Sequence, residues 1–67
     1  MNRGKVKWFN NEKGYGFLTD DDSGKDVYVH FTNIKMNGYR SLTEHQRVTY
    51  TQTNGERGLA ATEVVVY

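Results

Sequence analysis

The sequence predicts an all-β chain folded as a small closed barrel of five short strands. Two stretches, Lys13-Gly14-Tyr15-Gly16-Phe17-Leu18 and Asp26-Val27-Tyr28-Val29-His30-Phe31, alternate side-chain types with the two-residue period of a strand. Gly, Asn and Asp residues punctuate the chain at short intervals. No segment holds a helical period beyond one turn, near Thr32 to Lys35. Short strands with so little helix are best accommodated by closure, which removes the unpaired edges on which open sheets aggregate.

The elements follow in order. Residues 4–11 read as the first strand and 15–20 as the second. The run Asp20-Asp21-Asp22 beside Ser23-Gly24 reads as a solvated turn, because no further carboxylate follows at calcium-loop spacing. Residues 26–31 form the third strand. Residues 32–45 are irregular, with Asn37-Gly38 as a turn signal and Ile34 and Leu42 as core anchors. Residues 46–53 alternate and are rich in β-branched side chains, the mark of a fourth strand. Asn54-Gly55 is the strongest hairpin signal, and a Val-rich fifth strand closes the chain at 62–67. The expected core is Val6, Leu18, Val27, Val29, Ile34, Val48 and Val64.

Length and composition bound the function. A chain of 67 residues is expected to be one domain, spanning 1–67. It contains no Cys, which excludes disulfides and thiolate metal sites, and its two His residues are too few for a His-only zinc site. No metal and no cofactor are expected. No signal peptide or transmembrane run is apparent, so a soluble, cytoplasmic monomer is expected, away from membranes. Nine Lys plus Arg against eight Asp plus Glu is not the balance of a duplex-DNA binder. The distribution says more: residues 3–13 carry Arg3, Lys5, Lys7 and Lys13 against Glu12.

Strand alternation sends Val27 and Val29 to one face and Tyr28 and His30 to the other, and likewise separates Gly16 and Leu18 from Tyr15 and Phe17. The aliphatic residues supply a core face, so the rings are left on the face that meets water. Flat rings on an exposed sheet suit the stacking of unpaired bases. Imidazole at His30 both stacks and hydrogen-bonds. Lys7 and Lys13 bracket the rings and suit a phosphate backbone, and Tyr39 extends the platform if its loop folds over the sheet. Gly14 and Gly16 either relieve crowding at a barrel bend or keep the neighbouring rings open, and the two readings are compatible. Alternation alone places Trp8 with Val6 on the core side, whereas a bulge would turn it outward. Catalysis fits poorly, since no nucleophile and orienting carboxylate accompany His30 in a recognisable pattern.

These residues also carry a family resemblance. Lys13-Gly14-Tyr15-Gly16-Phe17-Leu18 resembles the cold-shock form of the first ribonucleoprotein motif, and Val27-Tyr28-Val29-His30-Phe31 resembles the second. Gly4-Lys5-Val6-Lys7-Trp8-Phe9-Asn10 is similar to the opening strand of bacterial cold-shock proteins. Gly38-Tyr39-Arg40-Ser41-Leu42 and Asn54-Gly55-Glu56-Arg57-Gly58 fit the same family. The resemblance implies a five-stranded antiparallel barrel of the OB type that binds single-stranded RNA and DNA and acts as an RNA chaperone. It implies a ligand face of Lys7, Trp8, Phe9, Lys13, Tyr15, Phe17, Asp26, Tyr28, His30, Phe31 and Tyr39, with Asp26 accepting a hydrogen bond from a base edge. That turns Trp8 outward and adds Phe31, both against simple alternation.

The chain also departs from the family pattern. Tyr15, Tyr28 and Tyr39 stand where phenylalanine is usual. Leu59 and Ala60 replace a customary Pro-Gln, and His45 replaces a glycine before the fourth strand. The function expected is single-strand binding on a stacking platform, with a role as RNA chaperone or as a regulator of transcription and translation. The alternative is a barrel that uses the same aromatic patch to bind a protein or peptide.

Overall fold

The computed structural model describes every residue except Asn37, Tyr39 and Arg57. Its strands are β1 (Asn2–Asn10), β2 (Tyr15–Asp20), β3 (Asp26–His30), β4 (Arg47–Gly55) and β5 (Gly58–Val66), with a 3-10 turn at Phe31–Asn33. They close into a barrel in the order β1-β2-β3-β5-β4, with β4 returning to β1. The expected five-stranded barrel is therefore observed, with one refinement. Four of the strand contacts are antiparallel, but β3 meets β5 in parallel through Tyr28 and Ala60.

The interior holds Val6, Leu18, Val27, Val29, Ile34, Leu42, Val48, Tyr50, Ala61 and Val64, all buried. Every expected core residue is among them. Tyr50 and Ala61 are additions, and Tyr50 shares the parity of Val48 on a strand whose Arg47, Thr49 and Thr51 point the other way. Its hydroxyl explains how an aromatic with a polar tip can be wholly buried: it donates to the Asp20 carboxylate.

Asp20 itself corrects the reading of the acidic run as a solvated turn. Asp20 is only 4% exposed, because it follows Leu18 on the inward face of β2. Its Oδ2 accepts from the Ser23 backbone N–H at 2.9 Å, the Asp22 N–H at 3.1 Å and the Ser23 hydroxyl at 3.1 Å. The side chain thus ties the β2–β3 turn together as an Asx-type turn while holding Tyr50. Asp21 and Asp22 are exposed, as expected.

Most strand boundaries shift by one or two residues, and the largest change falls between β4 and β5. Gly55 pairs with Gly58, so Asn54-Gly55 ends β4 instead of forming the turn, and β5 begins at Gly58, four residues before Thr62. Gly58, at φ 103, supplies the positive φ that the hairpin needs, and ladder pairing outweighs the local Asn-Gly preference. Leu59, Ala60 and Ala61 lack the β-branching that marks a strand, which hid this half of β5.

Candidate nucleic-acid interface

The exposed face of β1, β2 and β3 begins with an irregularity. Val6 pairs with Leu18 but Trp8 pairs with Phe17, so Lys7 is an extra residue and β1 carries a bulge. The bulge inverts the alternation beyond it. Trp8 turns outward and is 38% exposed, whereas Phe9 falls opposite the inward Gly16 and packs half-buried against the core. The alternative left open by alternation is resolved in favour of the bulge.

The register then sets two rows of side chains across three strands. Trp8, Phe17 and Tyr28 form one row, and Asn10, Tyr15 and His30 form the next. Four rings from these rows make a closed circuit. Centroids are 5.5 Å apart for Trp8 and Phe17, 5.8 Å for Phe17 and Tyr28, 6.0 Å for Tyr28 and Tyr15, and 5.7 Å for Tyr15 and Trp8. These are tilted or edge-on contacts at favourable separations, so each ring holds its neighbour while part of its surface faces solvent.

A second pair continues the face. His30 ends β3 and its ring centroid lies 4.7 Å from that of Phe31, the first residue of the 3-10 turn. The strand ends at His30, so Phe31 escapes the inward parity of Val27 and Val29 and is 39% exposed. His30 Nδ1 accepts from the Thr32 backbone N–H at 3.4 Å and lies 3.0 Å from the Thr32 hydroxyl, which fixes the ring plane. Gly14 makes room for the pair. A Cβ there would stand 2.6 Å from the Phe31 ring, φ is +76°, and its carbonyl accepts from Phe31 N–H at 2.8 Å. Gly14 lies in the turn before β2, while Gly16 lies within it, where a Cβ would stand 2.7 Å from Phe9 Cα. Crowding at the barrel bend is thus a sufficient cause for Gly16.

Polar groups flank the rings. Lys7 Nζ meets Asp26 Oδ2 at 2.9 Å, and both side chains are about half exposed, so the pair orients them with little net energy. Beyond Phe31 lies a groove of about 570 Å³ lined by Asn11, Glu12, Lys13, Gly14, Phe31, Gly38 and Arg40. Asn10 shapes its rim, its Oδ1 accepting from the backbone N–H groups of Glu12 at 3.0 Å and Lys13 at 2.9 Å. Arg40 and Asn10 were not singled out from the sequence. Asn immediately before a turn is a recognisable Asx signal, whereas nothing local predicts that Arg40 returns to this groove. Tyr39 lies outside the described residues. Phe9 packs against the core, away from the ring circuit.

Among the described residues, no group of three or more His, Cys, Asp or Glu side chains is placed to hold a metal ion. Among the described residues, too, no helix is long and apolar enough to cross a membrane. What the face offers chemically is a set of partly exposed aromatic surfaces with an imidazole and cations at the margin.

Comparison with known proteins is consistent with this geometry. The chain is 51% identical over 63 residues to the cold shock-like protein CspE of Escherichia coli K12, covering 94% of this chain and 91% of that protein. It is 55% identical over 62 residues to CspG of the same strain, covering 92% and 89%. It is 48% identical over 66 residues to CspA of Bordetella pertussis, covering 98% of both. Among solved structures, the Drosophila Unr fragment CSD456 superposes with a TM-score of 0.80 at 21% identity, covering 98% of this chain but 26% of that one, which supports the fold. Residues 2–67 match the family described as the 'Cold-shock' DNA-binding domain, and the chain belongs to that family.

Proposed function

We propose that this chain is a non-catalytic binder of single-stranded RNA and DNA, stacking unpaired bases on the face of β1, β2 and β3. The observation that carries the proposal is the closed circuit of Trp8, Tyr15, Phe17 and Tyr28, partly exposed beside a core that is complete without them. Aromatic rings left in water at such density suit a flat ligand that covers them. Each stacked base contributes about 1–3 kcal/mol, so several rings support useful affinity despite a formal net charge of +1.

In this proposal His30, Phe31 and Tyr39 extend the stack, and Phe9 supports its edge from within. Lys7 and Lys13 meet phosphates, and Asp26 accepts from a base edge once Lys7 turns to the backbone. The protein acts as a monomer in the cytoplasm, as an RNA chaperone or a cold-shock-type regulator that keeps transcripts unpaired. Weak sequence preference follows, because every base has a face that stacks. The test is a titration of Trp8 fluorescence with single strands and with the duplex of the same sequence. Single strands are expected to quench Trp8 and bind at least tenfold more tightly, on the order of one stacked base. Equal affinity for the duplex, or quenching by peptides but not by oligonucleotides, would overturn the proposal.

A further inference from the structure

A second aromatic and basic patch lies away from the ring circuit, on the outer face of β1, β4 and β5. Tyr67 is 57% exposed and two guanidinium groups share its ring, Arg3 Cζ at 5.9 Å from the centroid and Arg47 Cζ at 6.0 Å. Arg47 Nε also donates to the Tyr67 hydroxyl at 3.3 Å, and Tyr67 N–H donates to the Arg47 carbonyl at 3.2 Å, so the ring is fixed to β4 at both ends. Lys5 pairs with Arg47 across the ladder, and Arg3 pairs with Thr49. Val65, opposite Thr49 and 38% exposed, gives the patch an apolar floor. One carboxylate enters it: Asp21 pairs with Arg47 at 3.2 Å. Among the side chains of the patch, Arg3, Lys5 and Arg47 stand against the single carboxylate of Asp21.

The patch is also continuous with the ring circuit. Arg3, Lys5 and Lys7 recur at alternate positions of β1, each step about 6.7 Å, and lead directly to Trp8. We propose that a single strand leaving the rings at Trp8 runs along this basic edge to a second stacking position on Tyr67, with its phosphates between Arg3 and Arg47. Charge complementarity selects a phosphate backbone, and the exposed tyrosine selects a backbone that carries bases. This inference rests on the single-strand function proposed above and extends its footprint.

The experiment compares oligothymidines of about 6 and about 12 nucleotides, lengths inside the range of OB-type sites. The 67-residue chain is titrated at several salt concentrations. In the Arg3→Gln/Arg47→Gln variant, affinity for the short strand is expected to stay within about twofold of wild type, which also reports an intact fold. Affinity for the long strand is expected to fall about tenfold, with a shallower salt dependence by roughly one released counterion or more. Tyr67→Ala is expected to lose about fivefold or more on the long strand alone. Lys35→Gln, which removes a charge paired with Glu63 elsewhere, is expected to leave both affinities unchanged. Equal losses on both lengths, or no loss on the long strand, would overturn the second position. Failure of the wild type to bind either length would instead overturn the ring platform itself.

Discussion

At the scale of single residues, neighbouring positions on β3 carry opposite duties. Val29 is wholly buried, while Tyr28 and His30 on either side of it turn outward to the rings. Val29→Ala is therefore expected to destabilise by roughly 1–3 kcal/mol through a core cavity, with binding retained in the folded fraction. Phe17→Ala and His30→Ala are expected to weaken single-strand binding by about 1–3 kcal/mol each while the fold persists. Melting temperature and oligonucleotide affinity, measured on all three, separate the faces; a Phe17→Ala protein that unfolds while Val29→Ala only loses ligand would reverse the assignment. Asp20 offers a test by pH. The Tyr50 hydroxyl foremost, then the Ser23 backbone N–H, hold its carboxyl at about 2 against an ordinary 3.8, while burial acts upward. Burial, and then the Asp20 carboxylate, push the Tyr50 phenol well above its usual value. A carboxyl depressed in the folded state contributes stability that is full above the unfolded value and vanishes as pH falls through the folded one. Denaturant midpoints are thus expected to drop between pH 3.8 and about 2. In Tyr50→Phe the folded carboxyl moves back toward 3.8, so the drop should be smaller and end at higher pH, and stability at neutral pH should be lower by about 1–3 kcal/mol. An unchanged acid profile in that variant would remove Asp20–Tyr50 as a stabilising pair.

At the scale of elements, the irregular positions decide what each strand presents. The bulge at Lys7 turns Trp8 outward, and a second one in β5, between the Thr49–Val65 and Thr51–Thr62 pairs, places Glu63 at φ 51. Strand existence was legible because alternation and β-branching are local. The bulges were not, because an inserted residue leaves no mark in the alternation until the partner strand is known. Hence Trp8 stayed ambiguous from the residues alone, and the start of β5 was missed where alanines replace β-branched side chains. Most of the expected contact residues do share one face, since Tyr15, Phe17, Tyr28 and His30 follow strict parity; Arg40 reaches the groove through a long irregular segment that no period describes. The turn before β4, where His45 replaces the family's customary glycine, is strained: His45 sits at φ 71, with its N–H donating to the Val6 carbonyl at 2.8 Å. Its exposed contact with Glu44 adds little. His45→Gly is expected to stabilise the protein by about 1 kcal/mol, raising the melting temperature by roughly 4–8 °C. A lower melting temperature for the glycine variant would show that the side chain does more than endure its backbone.

At the scale of the whole molecule, the ten buried core residues among those described and one buried Asx turn must hold a barrel that has no cross-link. Two-state unfolding with roughly 2–5 kcal/mol of stability is the expected consequence. The rings proposed to stack on bases contribute little of that sum, because they keep part of their surface in water. Binding and folding are then coupled by mass action, since only the closed barrel aligns β1, β2 and β3 into one face. At a free oligonucleotide concentration of 100 times Kd, the folded state gains about 2.7 kcal/mol, comparable with its whole intrinsic stability. For a chain of this size that corresponds to a rise in melting temperature of roughly 10–20 °C. A calorimetric scan with and without a single strand measures it. The duplex of the same sequence is expected to produce almost no shift, because paired bases offer no face to the rings. A shift of the same size with duplex, or none with the single strand at saturation, would mean that the exposed rings are not where the ligand sits.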